Sequence, residues 1–353
     1  MRIHIFPILL MFSIFAALPA YGQTTTNPDI SLIGDMRAMA RHDSPDGNNN
    51  PQLNLEEIEM AISGYLNPYS RGDAVISYSN AGEVDIEEAY ATLLRGLPWN
   101  LQVKAGKYLV DFGKLNTQHP HQWSWIERPL MFQRFFGVEG LKDVGVNIST
   151  MIPVGSSALN ISANALHGAF LLPENSEDTP PLAASGRLSI FAPVGGHSEI
   201  ELGVSGLHAQ DDFAQKRWAT MGDVDFKYKW KPSMYKSLVV IAEGLTGNKK
   251  VAADSLDPGL TDNISAIGAF FAFDYQFHRR FDIGSFYDYS QSPVDKNNDM
   301  TAYGAFAGFS IAEETYRLGL LLRHDDASYL NKGYNSIQLQ LLWALGPHKP
   351  HTF

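Results

Sequence analysis

The 353-residue chain contains no cysteine. That absence excludes a disulfide scaffold, a thiolate metal site and a cysteine nucleophile. Long apolar runs are also missing. Past the N-terminal leader, none reaches the ~18 residues that a membrane-spanning helix requires. Positive charge is scarce, with 27 Lys+Arg against 38 Asp+Glu. This balance disfavours nucleic acid as a partner, because phosphate binding calls for clustered Lys and Arg. The motifs G-x-S-x-G and H-E-x-x-H do not occur, and no paired-acid motif stands out, so the sequence gives no reason to expect an enzyme.

The leader reads MRIHIFPILLMFSIFAALPAYGQ. Arg2 supplies a positive start, residues 8–17 an apolar core, and Ala20-Tyr21-Gly22 a small-x-small cleavage site. This is the pattern of a secretory signal peptide over residues 1–22, leaving 23–353 as a single domain. Removing Arg2 with it leaves 26 basic against 38 acidic residues, a formal charge of −12. An exported chain with neither disulfides nor spanning helices is either a large soluble protein or a closed β-barrel in the outer membrane.

Alternation decides between these. In SIQLQLLWAL, Ile337, Leu339, Leu341 and Trp343 share one face, and Ser336, Gln338 and Gln340 share the other. In SEIELGVSGL, Ile200, Leu202 and Val204 oppose Glu199, Glu201 and Ser205. Period two with one apolar face is the strand signal. It recurs over 30–41, 53–66, 70–80, 83–95, 100–112, 145–152, 159–168, 184–193, 198–208, 218–231, 236–246, 264–278, 281–290, 300–312, 315–324 and 335–345. The connections alternate too. One set is short and often Pro-bearing (NPYS, LPWN, APVGGH, KPSMY), whereas the other is mostly long and polar. Short turns on one rim and long loops on the other are the layout of an all-β, closed antiparallel transmembrane barrel, porin-like, with about 16 strands in outer-membrane lipid.

The longest connection holds 114-KLNTQHPHQWSWIERPLMFQRFFG-137 and is the third on the long-loop rim. Its rings, Trp123, Trp125, Phe132, Phe135 and Phe136, make it too apolar to stand in water. It is expected to fold inward and narrow the lumen, as the third loop of general porins does, with His119, His121, Glu127, Arg128 and Arg134 as polar groups of the constriction. His119 and His121 are also the candidate metal ligands. A zinc site wants three or four ligands, and Asp111, Glu127 or the tail histidines His348 and His351 are the available additions. Aromatic packing, rather than a metal, is expected to hold the loop. Along the early strands Glu57, Glu59, Asp85, Glu87 and Glu88 cluster, with Arg71, Lys104 and Lys107 nearby in sequence, as candidate lumen charges. An acidic lumen favours cations, while cross-strand pairing of the same groups would merely brace the wall.

The run 82-GEVDIEEAYATLLRGLPWNLQVKAGKYLVDFGKLNTQHPHQW-123, followed by ERP, RFFGVEGL and DVGVNIS, resembles bacterial outer-membrane proteins labelled zinc-regulated TonB-dependent outer-membrane receptors. So do 27-NPDISLIGD-35 and 344-ALGPHKPHTF-353. The resemblance implies an outer-membrane barrel and a connection to metal supply. Only residues 23–29 separate the leader from the first strand, which leaves no room for the plug of a TonB-dependent receptor. The leading expectation is therefore a channel for small hydrophilic solutes or metal ions, with general porins suggesting a homotrimer. The alternative is a receptor that captures zinc or a metal chelate at its surface mouth.

Overall fold

Sixteen strands form one closed antiparallel barrel, each hydrogen-bonded to its sequence neighbours, with β1 closing on β16. The computed structural model describes residues 28–45, 47, 49–79, 82–168, 170, 182–212, 217–252, 261–312, 315–330 and 332–346. The leader, the tail bearing His348 and His351, and parts of several long loops lie outside them. The strands are β1 (Asp29–His42), β2 (Gln52–Asn67), β3 (Ser70–Ser79), β4 (Val84–Leu93), β5 (Gln102–Leu109), β6 (Lys142–Val154), β7 (Ser157–Leu166) and β8 (Ala183–Val194). They continue as β9 (Ser198–Asp212), β10 (Arg217–Ser233), β11 (Lys236–Ala252), β12 (Thr261–His278), β13 (Phe281–Gln291), β14 (Asp299–Ala312), β15 (Tyr316–Ala327) and β16 (Tyr334–Leu345). One helix, α1 (Leu130–Phe136), interrupts the β5–β6 connection. All sixteen segments expected from alternation coincide with strands.

Closure follows from the chemistry of a membrane. Every backbone polar group in the hydrocarbon layer must find a partner within the protein, and only a sheet without edges does this with strands. β16 illustrates the sidedness. Ile337 and Leu339 are exposed at 44% and 56%, whereas Gln338 and Gln340 are 2% exposed. In a water-soluble protein that order would be reversed, so the apolar outer face is the lipid face. A barrel with this belt belongs in a bacterial outer membrane. Both ends of the barrel chain sit at the rim of the short turns, where Leu32 pairs with Leu345.

Two departures from strict alternation matter. Val75 pairs with Glu88 and Ile76 with Ile86, so Glu87 is an extra residue in β4. Likewise Asp35 pairs with Glu57 and Met36 with Leu55, which makes Glu56 the extra residue in β2. Such β-bulges break the period of two and re-aim side chains. The β4 bulge lets both Glu87 and Glu88 turn toward the interior.

The interior is not uniformly polar. Leu207, Met221, Leu245, Phe270, Phe286, Phe306 and Leu321 point inward and are buried. They are covered by residues 110–141, which leave the wall after β5 and fill that side of the barrel. Alternation alone extends β5 to 112. The chain turns inward instead at Val110, whose N–H pairs with the Leu141 carbonyl across the neck of the loop.

Candidate functional site: a folded loop against an acidic wall

The loop is held first by its rings. Trp123, Phe132, Leu115, Ile126 and Met131 are all at most 1% exposed. Trp123 and Trp125 stack at 6.2 Å, and Trp125 meets Phe270 at 5.0 Å. Each fully buried side chain of this size contributes roughly 1.5–3 kcal/mol. The wall makes room where α1 crosses it. A Cβ on Gly268 would stand 2.4 Å from the Met131 Cβ, and one on Gly247 2.6 Å from the Phe135 ring. The Gly/Ala-rich composition of β12 thus reflects the seat of the helix as well as strand-to-strand packing. Ile126 takes φ 73°, a left-handed conformation that costs a β-branched residue energy. The turn there brings Glu127 to β15 and β16, where Arg323 and Gln338 meet it.

Polar anchors complete the fit, and each spans a long stretch of sequence. The N–H groups of Lys114 and Leu115 donate to the two carboxylate oxygens of Glu243 at 3.0 and 3.1 Å. Lys114 Nζ donates to Glu201 at 2.6 Å. Ser124 donates to Asp274 at 2.6 Å, and the Leu130 N–H donates to Asp288 at 2.7 Å. Arg323 donates to Glu127 at 2.7 Å, and Gln338 donates to its other oxygen. Burial works against ionising Glu127, but Arg323, Gln338 and Arg37 outweigh it and hold the carboxyl below its usual range. The loop is thereby tied to β9, β11, β12, β13, β15 and β16.

At the other side His119 enters a wall of carboxylates. Its Nε2 lies 3.0 Å from Glu88 Oε1. Its Nδ1 is 3.3 Å from Glu59 Oε2 and 3.3 Å from Glu87 Oε2. His121 stacks on it at 5.7 Å, with its own Nδ1 3.3 Å from the same Glu59 oxygen. Burial opposes protonation of His119. The hydrogen bonds to Glu87 and Glu88 and the charge of Glu59 overcome it and push the imidazole up to about 10. Glu57 lies against Glu87.

Between this wall and the loop runs a cavity of about 350 Å³. Its lining includes Glu59, Glu88, Lys104, Asp111, His119 and His121, with Lys114, Arg187 and Glu201 beyond. The sequence-derived site residues divide accordingly. His119, His121, Glu59 and Lys104 border the cavity, with Glu57 and Glu87 beside them. Lys104 lies 4.8 Å over the Tyr90 ring, and Arg71 pairs with Asp73 at 3.2 Å.

The remaining site residues lie elsewhere. Arg128 is buried over Trp123, at 5.0 Å, and donates to the Val138 carbonyl. Arg134 is tied to Asn298 at 2.6 Å, in the β13–β14 loop. Both stabilise the constriction and do not line the cavity. Lys107 is corrected outright. It pairs in register with Ala89 and Val144, and Val144 is 52% exposed on the outer face. Lys107 and Lys142 both hold Asp85, whose strand partner Ser77 is buried, and none of the three lines the cavity. Asp111, considered as an added metal ligand, accepts from Asn147 and Asn164 instead. Alternation missed Arg187 and Glu243, although a charge on a strand face was a visible signal for both.

No family model matches the chain. An uncharacterized protein of Aquifex aeolicus (strain VF5) is 34% identical over 169 residues, a match covering 42% of this chain and 35% of that relative. The chain thus spans about a third of that relative's length. Among solved structures, OprB of Pseudomonas putida aligns with a TM-score of 0.62 at 8% identity, over 90% of this chain and 94% of that one. The anion-selective porin of Comamonas acidovorans gives 0.61 at 9%, over 90% and 99%. The outer membrane channel DcaP of Acinetobacter baumannii gives 0.57 at 12%, over 92% and 100%. At these identities the likeness is one of fold, and the fold is that of the outer-membrane porins.

Proposed function

We propose that the protein is a loop-constricted outer-membrane channel for small hydrophilic solutes, with a preference for cations. The observation that carries this reading is the 350 Å³ cavity lined by charged side chains, left open on the β1–β5 side while α1 and its rings fill the other. A polar passage beside a fixed loop lets small hydrated solutes through and excludes large ones. Glu57, Glu59, Glu87 and Glu88 gather at its wall around His119. A surplus of carboxylate over basic groups there attracts cations and repels anions. The basic residues nearby are partly neutralised, Lys114 by Glu201 and Arg187 by Asp225. A trimer is the assembly in which a barrel of this kind is expected to work, and one neighbour, OmpT of Vibrio cholerae, is described in a trimer form.

The test is conductance of purified protein in planar bilayers under a potassium chloride gradient. Discrete open levels with a reversal potential on the cation-selective side support the proposal. No conductance, or an anion-selective reversal potential, contradicts it.

A further inference from the structure

The geometry points to a binding site for a first-row divalent cation of the zinc class, formed by Glu59, Glu87 and His119 Nδ1 and completed by His121. This goes beyond the channel reading and does not depend on it, because the ligands are fixed by the fold whether or not solutes pass.

The spacing comes first. Ligand atoms of Glu59, Glu87 and His119 lie within 4.8 Å of one another. The three nitrogen–oxygen separations that join the set, His119 to Glu59, His119 to Glu87 and His121 to Glu59, are each 3.3 Å. Ligands bound tetrahedrally at ~2.0–2.1 Å stand about 3.3–3.4 Å apart. These three separations match edges of such a polyhedron, with Glu59, Glu87 and His119 as the mutually close set and His121 joining it through Glu59.

The tautomer comes second. A metal-bound imidazole characteristically donates its other ring N–H to a carboxylate, which fixes the ring and sharpens its basicity. Glu88 Oε1, 3.0 Å from His119 Nε2, occupies that supporting position. Nδ1 is thereby left facing Glu59 and Glu87.

A third observation is independent of both. Glu59 is 4% exposed, and its Oε2 faces both histidine Nδ1 atoms at 3.3 Å without a well-formed hydrogen bond. A buried carboxylate oxygen without a hydrogen bond is costly. A cation among these atoms would satisfy it and would also offset the repulsion between neighbouring carboxylates. Imidazole with carboxylate suits zinc and its first-row neighbours better than calcium or magnesium, which take all-oxygen sets. Glu59, His119 and His121 border the cavity, so a hydrated ion has a route in.

The experiment uses the full barrel folded in detergent, with zinc and cobalt(II) as the metals. We expect one zinc per chain by calorimetry and a visible cobalt(II) ligand-field spectrum that zinc abolishes and calcium does not. Glu59→Gln and His119→Ala should each weaken zinc binding at least about tenfold, and Glu88→Gln by about tenfold through its supporting role. His348→Ala with His351→Ala should change nothing. Heat-modifiable migration checks that each variant is a folded barrel, and the wild-type cobalt spectrum stands apart from any variant. Three results would each overturn the site: no stoichiometric binding, equal competition by calcium, or undiminished zinc binding by the folded Glu59→Gln/His119→Ala double variant. Since none of these readouts measures conduction, failure here is distinguishable from failure of the channel.

Discussion

Arg323 on β15 reaches into the lumen and donates from Nη1 to Glu127 Oε2 of the folded loop at 2.7 Å, while its other nitrogens grip Asp325. The pair joins residues 196 positions apart. It ties the loop to β15, as His119 ties it to β2 and β4, so the constriction is strapped at two places.

Glu127→Ala removes that strap. Arg323 keeps Asp325, so the cost is that of a charge-assisted hydrogen bond, about 1.5–3 kcal/mol, and it falls on loop docking, not on the barrel. Open-channel noise and protease cleavage within 110–141 should both rise, with heat-modifiable migration unchanged. An equally quiet, equally resistant variant would show that the strap is idle.

Acid should loosen the same contact. Because the folded-state value of Glu127 is depressed, its contribution is fully present above the ordinary glutamate value of about 4.3 and is lost as pH falls through the lower folded value. Protease sensitivity of the loop should therefore climb on acidification in wild type and change less in Glu127→Ala. An identical pH response in both would assign the effect elsewhere.

The lipid face gives a separate prediction. Leu339, mid-strand and 56% exposed, should tolerate Arg poorly, at about 2–4 kcal/mol for a charge at the bilayer midplane. Folding yield into lipid vesicles should drop for Leu339→Arg. Gln338→Ala, one residue along, should leave yield intact and act instead on the loop through Glu127. Equal yields for Leu339→Arg and wild type would mean that the outer face has been misassigned.

Gly268 tests the seat of α1. A side chain there meets the Met131 Cβ at 2.4 Å, so Gly268→Val should lift the helix off the wall and increase conductance while the strands still pair. Unaltered conductance with a folded barrel would place the helix elsewhere.

How much of this could be read from the sequence follows from the range of the interactions. Strand identity is local, and the alternation of Ile337, Gln338, Leu339 and Gln340 shows it directly. The inward fold of the loop was legible because Trp123, Trp125 and Phe132 cannot stay in water. The apolar interior was not. Phe270 and Phe306 face inward to meet Trp125, and a strand apolar on both faces no longer tells lipid from lumen. The metal candidates were half legible. His119 and His121 stand out in HPH, but their partners Glu59 and Glu87 come from the wall, and a bulge that shifts register by one residue leaves little local trace beyond the doubled acid at Glu87 and Glu88. Lys107 lies an odd number of residues from Lys104, so alternation alone puts the two on opposite faces; nearness in sequence to the acidic strands does not place a side chain in the lumen.

Residues 110–141 form a fixed constriction within an otherwise wide barrel. The most direct test is single-channel conductance of wild type against a variant lacking residues 119–126, measured in planar bilayers with barrel folding verified by heat-modifiable migration. The deletion removes the His119 anchor and the Trp123–Trp125 stack. Conductance should rise to several times that of wild type, on the order of the gain from reopening a lumen wide enough in 16-stranded barrels for an aqueous channel. Unchanged or lower conductance in the folded variant would contradict a fixed constriction.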